Sequence, residues 1–129
     1  MVTRRTEECR VAGPEQLAEP VIVGLPAEID AANAPGVGQR LCSAFAPGVT
    51  LVVADLTLTV FCDSSGLTQL VLAHHCAAAH RAQLRLVVPH AGVLQVLELA
   101  GLDRLLPVYP GLDAALAAGP VPGTEARRE

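Results

Sequence analysis

The sequence predicts an α/β fold: one small domain on a mostly parallel sheet of about four strands that alternate with helices. Three observations point there. Short apolar runs closed by proline or charge recur at Val21–Leu25, Leu51–Leu56 and Gln83–Val88, as expected of strands buried on both faces. Between them lie stretches with apolar residues at helical spacing, such as Val37, Leu41 and Phe45, which form one stripe of a helix. The links between strand and helix are of ordinary length, as alternating βα units require. At 129 residues the chain is close to the commonest size of a single domain. The domain is expected to span residues 20–118. An N-terminal arm over 1–19 would hold at most a short edge strand near Cys9–Ala12. The Pro/Gly-rich, charged tail over 119–129 is expected to be disordered.

Each element has its own signal. Pro26 closes the Val21–Leu25 strand, because proline cannot donate to a ladder. Ala27–Asn33 reads as a polar connection, with Asn33 placed to cap a helix and Pro35 tolerated in its first turn. Pro47-Gly48 stops that helix. The Leu51–Leu56 strand leads through a threonine-bearing turn into Val60–Leu67. A second helix is expected from about Ser64 to Ala79, with Leu67, Leu70, Val71, His74 and Ala78 at helical spacing. Pro89 ends the Gln83–Val88 strand. Val93, Leu94, Leu97 and Ala100 then mark a third helix, with Gly101 as its stop. Leu106–Pro110 reads as a proline-flanked edge strand, and Asp113–Ala118 as a last alanine-rich helix.

Composition excludes several classes of partner. Hydrophobic residues make up 51% of the chain, with no Trp, one Tyr and two Phe. A base-stacking surface would interleave aromatic and basic residues. The net charge of −4, with nine basic residues that are all Arg, also argues against nucleic acid. No apolar run reaches 18 residues, so no transmembrane helix is expected. The N-terminus lacks the apolar core of a secretory signal. Cys9, Cys42, Cys62 and Cys76 form no CxxC pair and no short disulfide framework. Three of them fall inside predicted strands or helices and read as small apolar residues, which fits a reducing cytoplasm.

The chemistry-bearing residues gather at two places. Asp63-Ser64-Ser65 sits where a strand hands over to a helix, which suits an N-cap, an anion or an exposed, modifiable hydroxyl. The Glu28–Asp30 loop also follows a strand, and in open α/β sheets binding sites collect at the C-terminal strand ends. Other chemistry is poorly supported. The corner lacks the GxSxG of a hydrolase elbow, although His90 follows downstream. His74, His75, Cys76 and His80 do not supply a full zinc ligand set on one helix face. No GxxxxGK[ST] or GxGxxG is present. Glu28 and Asp30 could act as paired carboxylates, but such a pair is more often a solvated turn, and the residues alone favour that reading. Cys62, beside Asp63, is a poor nucleophile because a neighbouring carboxylate raises a thiol pKa. No cofactor and no metal are expected.

The order Ala27-Glu28-Ile29-Asp30, strand residue Asp55, Phe61-Cys62-Asp63-Ser64-Ser65-Gly66-Leu67, Leu84–Pro89 and Leu97–Asp103 resembles a STAS domain. More narrowly, it is similar to the bacterial anti-sigma factor antagonists, over about residues 20–118. The resemblance implies a non-enzymatic cytoplasmic regulator whose unphosphorylated form binds an anti-sigma serine kinase and so releases a sigma factor. It implies Ser64 as the phosphoacceptor, with Ser65 as the alternative, and leaves room for a phosphatase that reverses the modification. Glu28 and Asp30 match the family's Gly-Glu-Leu-Asp loop, with Ala27 replacing the glycine. Asn33, Phe61, Asp63, Gly66 and Leu67 complete the implied contact surface. The family's first strand has no clear counterpart in residues 1–19. The other role that the resemblance allows is a STAS scaffold or transport-complex subunit that is not regulated by phosphorylation.

Overall fold

The structure, a computed structural model, describes residues 19–119. The expected arm strand near Cys9–Ala12 and nearly all of the tail lie outside the described residues. Strands β1 (Val21–Gly24), β3 (Leu51–Asp55), β5 (Gln83–Val87) and β6 (Val108–Tyr109) form one sheet in the order β1-β3-β5-β6. Every pairing in it is parallel, with Val52 opposite Val21 and Leu84, and Leu86 opposite Ala54 and Val108. Helices α1 (Ala34–Ser43), α2 (Ser64–Ala79), α3 (Ala91–Leu99), α4 (Leu102–Leu105) and α5 (Leu112–Ala117) connect and cover it. No helix among the described residues is long and apolar enough to cross a membrane.

The two-residue period of the strands assigns the faces. Val52 and Ala54 of β3, with Leu84 and Leu86 of β5, pack with Leu41, Leu70, Ala73, Ala77 and Leu97 from α1, α2 and α3. Their neighbours Val53 and Val87 point the other way and pack with Ala115, Leu112 and Tyr109 beneath α5. Because both faces are covered, the central strands read as unbroken apolar runs rather than as alternation.

Four features differ from the sequence reading. First, Glu28–Ile29 is not merely a connection: it forms β2, paired in parallel with β4 (Phe61–Cys62) in a separate two-stranded ladder. Second, the short helix α4 follows Gly101, whose φ of 81° turns the chain at the expected stop. Third, Cys42 and Cys76 are joined by a disulfide rather than standing as free apolar residues, whereas Cys62 is free and buried. The pairing follows from the packing of α1 on α2, which brings their Cα atoms to 5.7 Å, within bridging distance. Fourth, Arg85 stands in the middle of β5, buried at 4% exposure.

Arg85 is accommodated because α5 ends above it. Its guanidinium donates to the Ala115 carbonyl at 2.7 Å, the Ala118 carbonyl at 3.0 Å and the Gly119 carbonyl at 2.8 Å. Its Nε donates to Gln83 Oε1 at 3.0 Å. Helix C-termini leave carbonyls without intrahelical partners, and a planar cation with five donors can serve several at once. Arg85 thus fastens α5 to the sheet. Replacing Arg85 with Met keeps the apolar stem and removes these bonds. The expected loss is about 2 kcal/mol in urea denaturation, with amides of α5 exchanging earlier than those of β5; unchanged stability would contradict this role.

Candidate functional site

The serine corner is built on the β2–β4 ladder. Glu28 lies opposite Phe61 and Ile29 opposite Cys62, and the Asp63 N–H donates to the Ile29 carbonyl at 3.1 Å. The Val60 N–H donates to the Ala27 carbonyl at 2.8 Å. Side chains alternate along such a ladder, so Ile29 and Cys62 turn inward and are buried, while Glu28 and Phe61 face out. Two segments more than thirty residues apart are therefore one surface.

Helix α2 starts directly on this ladder. Asp63 is its N-cap, and Asp63 Oδ1 accepts from the Ser65 N–H at 2.8 Å and the Gly66 N–H at 3.2 Å. The capping reading of this corner is what the structure displays, and the Ser65 and Gly66 N–H groups, which could have met an external anion, are already partnered by a carboxylate. Ser64, the first residue of α2, is exposed, while Ser65 is half-buried. Gly66 is buried against the ladder: a Cβ there would come within 2.5 Å of Cys62 Sγ and 2.7 Å of Ile29 Cγ2. Only the absence of a side chain lets the first turn of the helix approach this closely. Leu67 is half-buried and packs against the main core.

The loop between β2 and α1 is held from within. Asn33 occupies the N-cap position of α1 but makes no side-chain cap bond there. Instead its Oδ1 accepts from the Asp30 N–H at 2.9 Å and its Nδ2 donates to the Glu28 carbonyl at 2.8 Å. The expected cap is in fact a clasp across Glu28–Asp30. Asp30 Oδ1 accepts from the Ala32 N–H at 3.0 Å, which completes a tight turn.

The turn that leads into β4 supplies apolar surface. Leu58 is 73% exposed, Val60 53% and Phe61 50%, and Phe61 lies opposite exposed Glu28 on the ladder. Thr59, between them, is fully buried and donates from Oγ1 to the Pro26 carbonyl at 2.8 Å. Thr57 donates its N–H and its hydroxyl to Asp55 Oδ1. Sequence reading missed both threonine anchors; each Thr lies between apolar residues, Leu56 and Leu58 or Leu58 and Val60, which was the available signal. An open groove of about 740 Å³ continues from Leu58 between Leu25, Val37 and Arg40.

The other candidates resolve differently. His90 is the N-cap of α3, its Nδ1 accepting from the Val93 N–H at 3.2 Å. His80 caps the C-terminus of α2, with Nδ1 bonded to the Cys76 carbonyl at 2.8 Å, and its ring stacks on Phe45. Among the described residues no group of three His, Cys, Asp or Glu is placed to hold a metal ion. Burial, and secondarily the Asp63 carboxylate, push the Cys62 thiol up to about 11, so it is a poor nucleophile.

Two predictions follow from the ladder. Gly66→Ala gains helix propensity of up to about 1 kcal/mol but forces two contacts below 3 Å, and such overpacking costs about 1–3 kcal/mol. Urea denaturation should show a net loss of about 1 kcal/mol, and a gain would contradict the close approach. Cys62 holds its proton more tightly when folded than the ordinary thiol value of 9.0. Its stabilising contribution is therefore present below about pH 9 and lost as pH rises towards about 11. Denaturation midpoints should fall more steeply over that window in the parent protein than in Cys62→Ala; parallel slopes would contradict the assignment.

Comparison with known proteins agrees with this architecture. The STAS domain family model matches residues 12–115. An anti-sigma factor antagonist from Mycobacterium paratuberculosis superposes with a TM-score of 0.62 and 28% identity, over 84% of this chain and 85% of that one. A Thermotoga maritima protein described as an anti-sigma factor antagonist gives a TM-score of 0.68 at 21% identity, over 88% and 92%. The antagonist SpoIIAA in its unphosphorylated form gives 0.51 at 20% identity, over 67% and 89%. None of the curated proteins compared with the chain matches it in sequence. With most of its length matched by the family model and the fold shared with these structures, the chain belongs to the STAS domain family.

Proposed function

We propose that this protein is an anti-sigma factor antagonist: a cytoplasmic, non-catalytic regulator whose unmodified form binds an anti-sigma serine kinase, releases the sigma factor and is switched off by phosphorylation of Ser64. The observation that carries the reading is the exposed Ser64 at the start of α2, directly after the ladder that sets exposed Glu28 opposite exposed Phe61. The 28% identical Mycobacterium paratuberculosis antagonist supports the same role. Glu28, Asp30, Asn33, Phe61, Asp63, Ser65, Gly66 and Leu67 form or support the contact surface, and a phosphatase restores the hydroxyl.

The switch is electrostatic. A phosphate adds about 1.5 to 2 negative charges. It would stand next to the Asp63 carboxylate, which already occupies the Ser65 and Gly66 amides, so those donors are not free to neutralise it. The charge would project into a partner surface shaped for a neutral hydroxyl, and a mismatch buried in an interface costs several kcal/mol. No change of fold is needed.

Incubation with ATP and the anti-sigma kinases of the same cell, followed by phosphosite mapping, should place the phosphate on Ser64. Ser64→Ala should bind the kinase and resist phosphorylation, whereas Ser64→Asp should keep its melting temperature and lose at least roughly 30-fold in affinity. A phosphate mapped elsewhere, together with unchanged binding of the aspartate variant, would overturn the proposal.

A further inference from the structure

The helices that carry the two halves of the site are covalently joined at their far ends. Asn33 at the start of α1 clasps the Glu28–Asp30 loop, and α2 begins with Ser64. Cys42 lies in the last turn of α1 and Cys76 in the last turn of α2, and the bridge between them spans 34 residues of sequence. Both cysteines are half-buried, so neither is sealed in the core as Cys62 is. Cys62 is buried, with a thiol held protonated, and is no competitor in the exchange. The helices also have an apolar seam of their own: Val37 and Leu41 of α1, with Leu70, Ala73 and Ala77 of α2, belong to the same core. Packing along this seam does not involve the bridge.

We propose that Cys42 and Cys76 are a reversible redox pair, which a low-molecular-weight disulfide closes and a low-molecular-weight thiol reopens, setting how firmly α1 is held on α2. On closing, one cysteine thiolate attacks a sulfur of the small disulfide, expels one small thiol and leaves a mixed disulfide. The second cysteine attacks the protein sulfur of that mixed disulfide and expels the second small thiol. The protein loses two electrons and two protons, and the small disulfide takes up both. A bridge that a small thiolate can reach exchanges with it, and a bridge in a reducing compartment is usually transient or redox-sensing. Closing a loop of this length restricts the unfolded chain and should raise the melting midpoint by roughly 10 °C. The pair works whether or not Ser64 is the phosphoacceptor.

The test equilibrates the full chain in buffers of graded reduced-to-oxidised glutathione ratio, quenches with acid, tags free thiols by mass and records the melting midpoint in each buffer. The expected result is a Cys42–Cys76 bridge that forms in oxidised glutathione and opens in reduced glutathione, with the folded spectrum kept and the midpoint lower by roughly 10 °C. Cys42→Ser and Cys76→Ser should each melt near the reduced parent and show no redox dependence. The tagging of the parent protein decides the matter even if a variant folds poorly. A bridge that stays closed in reduced glutathione, one that never closes, a pairing with Cys9 or Cys62 instead, or a midpoint indifferent to redox state would overturn the proposal.

Discussion

The close approach of α2 to the β2–β4 ladder is the constraint on which the site depends. Gly66 has no side chain, so the first turn of the helix can rest on Ile29 and Cys62. That contact fixes the height of Ser64 above the sheet rim. The same ladder carries Glu28 and Phe61 on its outer side, so what buries the inner residues also presents the outer ones. Asp63 links the two roles, with its backbone N–H paired to Ile29 and its side chain capping the helix. A local sequence of four residues thus sets both a packing joint and an exposed hydroxyl.

Electrostatics at the corner favour a readable surface over a binding cradle. Had the first-turn amides been free, a phosphate at Ser64 would have found donors and a favourable helix dipole. Asp63 fills that place. Added charge at Ser64 is therefore left to face outward, among Glu28 and exposed apolar side chains. In the proposed role the exposed apolar residues would supply affinity for a docking protein, and the Ser64 hydroxyl is where that affinity would be withdrawn.

Much of this was legible in the sequence because long elements carry strong patterns. The Leu51–Asp55 and Gln83–Val87 strands, the 64–79 helix and the edge strand around Val108 each had a pattern or a proline boundary to announce them. The place of the Asp63-Ser64-Ser65 corner was legible too, since Asp and Ser between a strand and a helix mark a helix N-terminus. What escaped was short or non-local. β2 and β4 are two residues each, below the length at which periodicity speaks, and Glu28 made its segment look like a loop. Asn33 offered the chemistry of a cap, but its bonds run back to Asp30 and Glu28 instead. The burial of Arg85 had no local signal, because its partners are carbonyls some thirty residues away. Nothing in the spacing of Cys42 and Cys76 reveals that two helices bring them together.

The account's central claim is that Glu28–Asn33 and Leu58–Leu67 act as a single docking face around Ser64. Hydrogen exchange of the protein, free and bound to the anti-sigma kinase proposed as its partner, tests this most directly. The account predicts that binding slows exchange in both segments together, that phosphorylation of Ser64 abolishes the effect, and that α3 to α5 remain as in the free protein. Protection confined to α3–α5, with the Ser64 corner unchanged, would contradict it.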